Sequence, residues 1–213
     1  MERTVRWAER AFRHWRSVDP EPQQALFPIV QGAMDRELRR DCARRLLELD
    51  APGYAIGGLS VGEPRPLSYD MVEATEDILP RDRPRYVMGV GMLHELGEYV
   101  SRGTDMMDCV LPTRNARNGF FFTPQGKLVI KNARYASDPS PIDPACPCYC
   151  CRNFSRAYLR HLFLAQEMLF STLATIHNVF TYLDTMKRIR QAIVIGNLPG
   201  FLDRLRAADA PLV

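Results

Sequence analysis

Lysine is scarce in this sequence of 213 residues. It occurs only at Lys127, Lys131 and Lys187, so arginine supplies nearly all of the 28 basic residues. Arginine suits bidentate contacts with phosphates and nucleobases, but GC-rich coding produces the same bias. The net charge of +3 is small, and composition alone therefore does not indicate a nucleic-acid-binding protein.

Long apolar runs are absent as well. No stretch of about 18 apolar residues occurs, which excludes a transmembrane helix of ordinary length. The opening MERTVRWAER is charged and amphipathic, unlike a secretory signal peptide. We therefore expect a cytoplasmic protein with no membrane partner. Nucleotide fingerprints are also missing, because GGLSVGEP has neither the G-x-G-x-x-G spacing nor the lysine of a P-loop.

Apolar patterning predicts a helix over residues 4–17 and then an alternation of strands and helices. Four short apolar runs, ALFPIVQG, GYAIGG, PRYVMGVG and DMMDCVLP, start about 25 residues apart and are separated by amphipathic segments. Strands that are apolar on both faces are typical of a parallel sheet with crossover helices. The fourth strand is expected to bury Val110 and Leu111.

The pattern changes after residue 118, which divides the chain into residues 1–118 and 119–213. GFFFTPQGKLVIKNARY predicts a β-hairpin with its turn at Pro124-Gln125-Gly126. A proline-rich loop with four cysteines follows, and residues 155–195 are predicted to be helical with a break near Thr175. LPGFLDRLRAAD predicts a last short helix.

Functional residues of parallel βα folds lie at the carboxyl ends of strands. Glycines at three of the four predicted strand ends would leave the backbone open to a ligand. The residues at these ends are Gln31 and Gly32, Gly57 and Gly58, Met88 and Gly89, and Asp108. Beyond Asp108, the segment PTRNARNG either forms a solvated turn or uses its two arginines to contact phosphates or bases.

Four of the six cysteines lie between residues 146 and 151. Structural disulfides are rare in cytosolic proteins, so the C-x-C-x-x-C spacing of Cys146, Cys148 and Cys151 predicts a closed, structural Zn²⁺ site, one per chain. A tetrahedral site needs a fourth ligand. Spacing alone leaves three candidates: Cys150, His161 and His177.

The motifs FPIVQG, YAIGGLSVGEP, RYVMGVG, DMMDCVLPTRNARNG and CPCYCCRNFSRAYLRHLFLAQEMLFSTLATIHN together resemble the tRNA-guanine transglycosylases, the queuine tRNA-ribosyltransferases, over nearly the whole chain. The resemblance implies an α/β fold: the C-terminal half of a TIM (β/α)₈ barrel, a zinc-binding subdomain and C-terminal helices. It implies exchange of guanine at the tRNA wobble position for a 7-deazaguanine in queuosine biosynthesis, through a covalent aspartyl-ribose intermediate. Val61 suggests the bacterial type, which uses 7-aminomethyl-7-deazaguanine.

The same resemblance assigns residues. Asp108 is the implied nucleophile, and the implied zinc ligands are Cys146, Cys148, Cys151 and His177, which selects His177 among the three candidates. The implied base-binding residues are Gln31, Gly57, Gly58, Leu59, Met88 and Gly89. The implied RNA contacts are Gly89, Val90, Gly91, Met92, Leu93, His94, Glu95, Thr113, Arg114, Asn115, Ala116 and Arg117.

The general acid/base aspartate of the family pattern has no match in this sequence, and the nearby acids Asp19 and Glu21 do not fit its motif. We therefore expect a fragment that is inactive alone or needs a partner to complete the barrel, and a homodimer of the full-length form. The competing hypothesis is a non-catalytic, zinc-stabilised tRNA-binding or partner-subunit module. An archaeal-type transglycosylase that acts elsewhere on tRNA is a third, less favoured hypothesis.

Overall fold

The computed structural model of the chain describes residues 1–18 and 23–209, so Asp19 and Glu21 lie outside the described residues. The chain forms two compact units. Unit 1 comprises residues 1–91 and 95–109, and unit 2 comprises residues 92–94 and the chain from residue 110 onward. This division falls earlier than the predicted boundary at residue 118, because the helix that follows Val110 packs in unit 2, where Ala116 is part of the core.

Unit 1 begins with helix α1 (Glu2–Val18) and continues as an alternation of strands and helices. The elements are β1 (Ile29–Val30), α2 (Arg36–Leu47), β2 (Tyr54–Ile56), α3 (Arg65–Glu76), β3 (Arg85–Val87), α4 (Leu93–Ser101) and β4 (Met106–Met107). Helix α4 belongs to unit 1 from Glu95 onward. The predicted order of one helix followed by strand–helix repeats is confirmed.

The four strands of unit 1 form a parallel sheet in the order β1-β2-β3-β4. Val30, Ile56 and Val87 are fully buried in it, as expected for strands covered by helices on their faces. Helix α2 starts at Asp35, whose carboxylate accepts a hydrogen bond from the N–H of Leu38 at 3.0 Å and so caps the helix. The predicted parallel α/β sheet is therefore confirmed, although its strands are shorter than predicted.

The end of the fourth strand differs from the prediction. Strand β4 stops at Met107, Val110 is 62 % exposed, and Leu111 begins a helix instead of extending a buried strand. The reason is Pro112, whose fixed φ and missing N–H suit the first turn of a helix. Pro112 to Arg117 of the segment PTRNARNG are correspondingly helical, and only Asn118 and Gly119 form a turn.

Unit 2 contains a hairpin, a short 3₁₀ helix (Ala133–Tyr135) and five α-helices among the described residues. The elements are α5 (Leu111–Arg117), β5 (Phe120–Thr123), β6 (Gly126–Val129), α6 (Tyr149–Asn153), α7 (Arg156–Leu164), α8 (Met168–Val194) and α9 (Leu198–Asp209). The antiparallel pairing of Thr123 with Gly126 places the hairpin turn at the predicted position. The predicted last helix is also present, as α9.

The predicted break near Thr175 is wrong, because Thr175 lies within the continuous helix α8. The break falls at residues 165–167, where Gln166 adopts a left-handed conformation (φ 57°) and the N–H of Glu167 bonds to the carbonyl of Leu162. This arrangement ends α7 in the manner of a Schellman motif. Helix α8 continues past Thr175 because its neighbours Ala174 and His177 are buried in the core of unit 2.

None of the described helices is both long enough and apolar enough to cross a membrane. All six cysteines lie in the described residues, and none is joined to another in a disulfide.

Candidate active site and candidate metal centre

The amide of Gln31, after β1, packs against the glycine pair that follows β2. A Cβ atom on Gly57 would lie 2.6 Å from Nε2 of Gln31, and one on Gly58 would lie 2.5 Å from its Oε1. Gly58 also has a positive φ of 69°, a conformation that side chains disfavour. The sequence therefore needs glycine at both positions, and the Gln31 amide forms one surface with this backbone.

The loop after Gly58 is held by Glu63. Its carboxylate accepts hydrogen bonds from the N–H groups of Ser60 at 2.6 Å and Val61 at 3.0 Å, and from the hydroxyl of Ser68. Burial opposes ionisation of this group, but the hydrogen bonds outweigh it and lower the pKa of Glu63 to about 2. Leu59, the first residue of this loop, is buried at 5 % exposure.

Asp108 follows β4 and is exposed. Its Oδ1 accepts two hydrogen bonds, from the hydroxyl of Tyr86 at 2.6 Å and from the N–H of Gly89 at 2.9 Å. These two hydrogen bonds, the one from Tyr86 first, lower the pKa of Asp108, and the same contact raises the pKa of Tyr86 to about 12. Asp108 is therefore a carboxylate at neutral pH, held in position through one oxygen.

The two donors to Asp108 come from neighbouring positions: Tyr86 lies in β3, and Gly89 lies in the turn that follows this strand. Met88 is half-buried after this strand, and Gly89 has a φ of 71°, with no atom within 4 Å of the place where a Cβ would stand. Sequence reasoning identified Gly89 but missed Tyr86. In the sequence, Tyr86 is marked only by a hydroxyl within an apolar run. Tyr86 pairs with Met106, two residues before Asp108, and this pairing depends on the strand register, which the sequence does not show.

The residues that the resemblance assigns to RNA are divided between the two units. Gly89, Val90, Gly91 and Glu95 belong to unit 1, whereas Met92, Leu93, His94 and the segment from Thr113 to Arg117 belong to unit 2. Glu95 is 3 % exposed, and its carboxylate lies 2.6 Å from Nε of Arg65.

Helix α5 in unit 2 presents Arg114 and Arg117 to solvent, while Ala116 between them is fully buried. The helix is fixed from below by Asn178, whose side-chain amide donates to the carbonyls of Pro112 and Phe120 at 3.0 and 2.9 Å. The two guanidinium groups therefore stand on a rigid support and face outward.

A candidate metal centre lies in unit 2. The ligand atoms of Cys146, Cys148, Cys151 and His177 all lie within 4.8 Å of one another. Nδ1 of His177 is 3.8, 3.6 and 3.2 Å from the three sulfur atoms. A tetrahedral zinc ion with Zn–S bonds near 2.3 Å and a Zn–N bond near 2.0 Å would separate nitrogen from sulfur by about 3.6 Å. The cluster therefore has the dimensions of a four-coordinate metal site.

The orientation of His177 also suits a metal ligand. Its Nε2 lies 2.8 Å from the carbonyl oxygen of Phe122 and donates to it, which leaves the lone pair of Nδ1 for an ion. Among the sulfur atoms, the hydrogen bond from Cys151 lowers the pKa of Cys148 and favours its thiolate. The other two candidates lie outside the cluster: Cys150 is buried, and His161 is exposed on α7.

A protein-family model described as Queuine tRNA-ribosyltransferase matches residues 1–210 of the chain. The chain belongs to this family. Relatives named Queuine tRNA-ribosyltransferase include one from Solibacter usitatus, 62 % identical over 204 residues, which cover 95 % of this chain and 54 % of the relative. A relative from Thermoanaerobacter pseudethanolicus is 56 % identical, over 91 % of this chain and 51 % of its own length.

A third member of the family, from Staphylococcus aureus, is 56 % identical over 91 % of this chain and 50 % of its own length. The queuine tRNA-ribosyltransferase resemblance seen in the sequence motifs is thus confirmed. The chain spans about half the length of the curated relatives that it matches.

Proposed function

We propose that this chain contributes the nucleophile and the zinc site of a tRNA-guanine transglycosylase of queuosine biosynthesis. The enzyme would exchange guanine at the anticodon wobble position for a 7-deazaguanine, in the bacterial type 7-aminomethyl-7-deazaguanine. The observation that carries the proposal is the ionised, exposed and doubly hydrogen-bonded carboxylate of Asp108 at a strand end.

The chemistry follows the logic of retaining glycosidases, which pair a nucleophile with an acid/base group. A carboxylate oxygen of Asp108 attacks C1′ of the ribose, and the bond from C1′ to N9 of guanine breaks with its electron pair on the base. The leaving base takes a proton from the acid group. The incoming base then loses its N9 proton to the same group and displaces Asp108 from C1′.

The lowered pKa of Asp108 suits the nucleophile and not the acid, because a proton donor at neutral pH needs a raised pKa. We assign the acid/base role to the half of the relatives that this chain does not span. The parallel strands β1 to β4 would likewise form half of an eight-stranded barrel.

The base would bind beside Gln31 and the backbone of Gly57 and Gly58, with Leu59, Met88 and Gly89 around it. A flat base needs close approach to backbone, and the glycine pair with its adjoining amide supports that assignment. Because a base in an anticodon is stacked, the enzyme must extrude it before the reaction.

Arg114 and Arg117 would contact phosphates of the tRNA, since both stand exposed on the supported helix α5. Such contacts fix the register of the RNA and weaken with salt. Glu95 is itself buried and forms an ion pair with the half-exposed Arg65, which favours a supporting role for Glu95 within the segment assigned to RNA.

Zn²⁺ is the metal that the ligand set suits best, because three thiolates and one imidazole in a closed tetrahedron are typical of structural zinc. Cys146, Cys148, Cys151 and His177 would hold it, and the ion would supply folding energy to unit 2. A homodimer of the full-length form stays a prediction, which light scattering can test.

The alternative is a non-catalytic zinc-stabilised module that binds tRNA or a catalytic partner. The arrangement at Asp108 favours the enzyme, because a binding module has no need of an exposed carboxylate aligned by two donors.

The test is a chimera in which the preceding half of the Solibacter usitatus relative is fused to this chain, assayed for incorporation of labelled guanine into tRNA. Asp108→Asn should abolish incorporation, while Asp70→Asn, a matched change at an exposed acid on α3, should retain it. Full incorporation by the Asp108→Asn chimera would refute the assignment. A chimera that binds tRNA but incorporates no guanine even with Asp108 would favour the non-catalytic module.

A further inference from the structure

A buried arginine lies directly beneath the glycine pair. Arg39, in the first turns of α2, has no exposed surface. Its Nε donates to the carbonyl of Ala33 at 2.7 Å, and its terminal nitrogens donate to the carbonyls of Gly57, at 3.1 Å each, and of Gly58, at 3.3 Å. One guanidinium group therefore joins the ends of two neighbouring strands.

Burying the guanidinium group of Arg39 costs more free energy than burying an apolar side chain of similar size. A guanidinium group stays charged even where burial lowers its pKa, as it does for Arg39, and taking it out of water costs several kcal/mol before its hydrogen bonds are counted. An apolar side chain would fill the same volume at lower cost. The rigid fork of donors, which reaches three carbonyls at once, is what an apolar residue could not supply.

The consequence for the backbone follows from peptide geometry. None of the peptide bonds in residues 1–18 and 23–209 is cis, so the N–H of each of these peptides points opposite to its C=O. Because the carbonyls of Gly57 and Gly58 point inward to Arg39, the N–H groups of Gly58 and Leu59 point away from it. In this orientation of the peptides, Gly58 has a left-handed conformation, and Gly57 and Gly58 pack closely against the Gln31 amide.

We propose that Arg39 is a positioning residue, which aims the N–H groups of Gly58 and Leu59 at a carbonyl oxygen of the purine-type base. The proposal rests on the proposed function, because it takes the base to bind at the glycine pair. Guanine and 7-deazaguanines share the oxygen at C6 but not the nitrogen at position 7. A site that accepts both bases must therefore direct its donors to an acceptor that both possess.

Three variants of the full 213-residue chain separate this role from simple packing. Arg39→Met keeps an unbranched, bulky side chain and removes all the donors. Arg39→Lys keeps the charge but offers one compact ammonium group, which cannot span three carbonyls. Arg36→Met makes the same chemical change at an exposed position of the same helix and serves as the control.

The first measurement is NMR relaxation of the backbone amides without base. In the wild type, Gly58 and Leu59 should have order parameters of about 0.85, as in rigid backbone, and in Arg39→Met these two values should fall below about 0.6. The other amides of the sheet should keep their values. Arg36→Met should match the wild type, and Arg39→Lys should lie between the two.

The second measurement is the affinity for guanine and for 2-aminopurine, which lacks the oxygen at C6. Arg39→Met should bind guanine about tenfold more weakly, as expected when hydrogen bonds that determine affinity lose their alignment. Its affinity for 2-aminopurine should be unchanged. A purely structural role of Arg39 would weaken both bases equally and lower order throughout unit 1.

The outcomes are distinguishable. Unchanged order parameters at Gly58 and Leu59 in Arg39→Met would overturn the inference, as would an equal loss of affinity for both bases. If the wild-type chain bound neither base, the proposed base site would fail in this chain, and the order parameters would still decide whether Arg39 positions these amides.

Discussion

Removal of the Tyr86 hydroxyl is the change that most sharply probes the environment of Asp108. In Tyr86→Phe the ring is retained and the hydrogen bond to Oδ1 of Asp108 is lost. Because this hydrogen bond is the largest influence that lowers the pKa of Asp108, that pKa should rise. The hydrogen bond from Gly89 should persist and keep the pKa below its usual range.

The magnitude follows from the pair itself. The hydrogen bond to Asp108 and burial together raise the pKa of Tyr86 from 10 to about 12, so at 1.36 kcal/mol per pKa unit about 2.7 kcal/mol is an upper bound for the contact. Asp108 is exposed, and solvent screening reduces the value of such a contact to about 1 kcal/mol. We therefore expect the pKa of Asp108 to rise in Tyr86→Phe, because the largest influence that lowers it is removed.

NMR titration of the Asp108 carboxyl carbon gives this pKa directly, with Asp108→Asn to assign the resonance. The amide proton of Gly89 offers a second reporter, since it donates to the same oxygen. Tyr158→Phe, a matched change in unit 2, should leave both titrations unchanged. A pKa of Asp108 that is the same in Tyr86→Phe and in the wild type would refute the role given to the hydroxyl.

The effect on stability has a definite sign. Because the folded-state pKa of Asp108 is lowered, its carboxylate contributes stability above the unfolded pKa of about 3.9, and this contribution is lost as the pH falls through the folded value. Tyr86→Phe should therefore lower the free energy of unfolding by about 1 kcal/mol at pH 7 and have little effect below both pKa values.

Three further changes test other parts of the molecule. His177→Ala should abolish zinc binding and lower the unfolding temperature of unit 2 by at least about 10 °C, measured by metal analysis and calorimetry, because the ion supplies folding energy. Burial raises the pKa of Glu76 to about 7 even though its ion pair with Arg85 opposes this rise, so between pH 4.5 and 7 the folded state holds a proton that the unfolded state has released. Stability should fall by up to about 3 kcal/mol as the pH rises from 4.5 to 7, and Glu76→Gln should flatten this profile in urea titrations. Gln166→Gly should raise the free energy of unfolding by about 0.5 to 1 kcal/mol, because glycine adopts the left-handed conformation without strain.

Each of these changes has an outcome that would count against it. Cys150→Ser should keep one zinc per chain, so zinc loss in that variant would show that the ligand set is misassigned. If the free energy of unfolding of the wild type rose from pH 4.5 to 7, and Glu76→Gln removed this rise, the pKa of Glu76 would be lowered in the folded state and not raised. Equal urea midpoints for Gln166→Gly and the wild type would show that the turn stores no strain.

Local patterns predicted the elements of the fold well where local chemistry decides them. The alternation of apolar runs and amphipathic segments fixed the parallel sheet, and Pro124 and Gly126 marked the hairpin turn. Errors arose where tertiary contacts override propensity. A helix break was predicted near Thr175, but burial of its neighbours in the core of unit 2 keeps α8 continuous.

The sequence predicts those residues of the candidate sites that lie close together along the chain, but not those that only the fold brings together. Three thiols within six residues indicate a metal, whereas His177 lies 26 residues beyond Cys151 on a long helix, and only the family motif selected it. Tyr86 and Arg39 could not be found from sequence alone. Their roles depend on the register of neighbouring strands and on the packing of α2 below them, neither of which appears in a linear pattern.

The most direct test is to locate the covalent bond. The chimera with the Solibacter usitatus half is mixed with a tRNA anticodon stem-loop in the absence of incoming base, quenched in denaturant, and digested with nuclease and trypsin. Mass spectrometry should find the ribose-containing remnant on the tryptic peptide 103–114, at Asp108. A remnant on any other residue, or none in a preparation that exchanges guanine, would contradict Asp108 as the nucleophile.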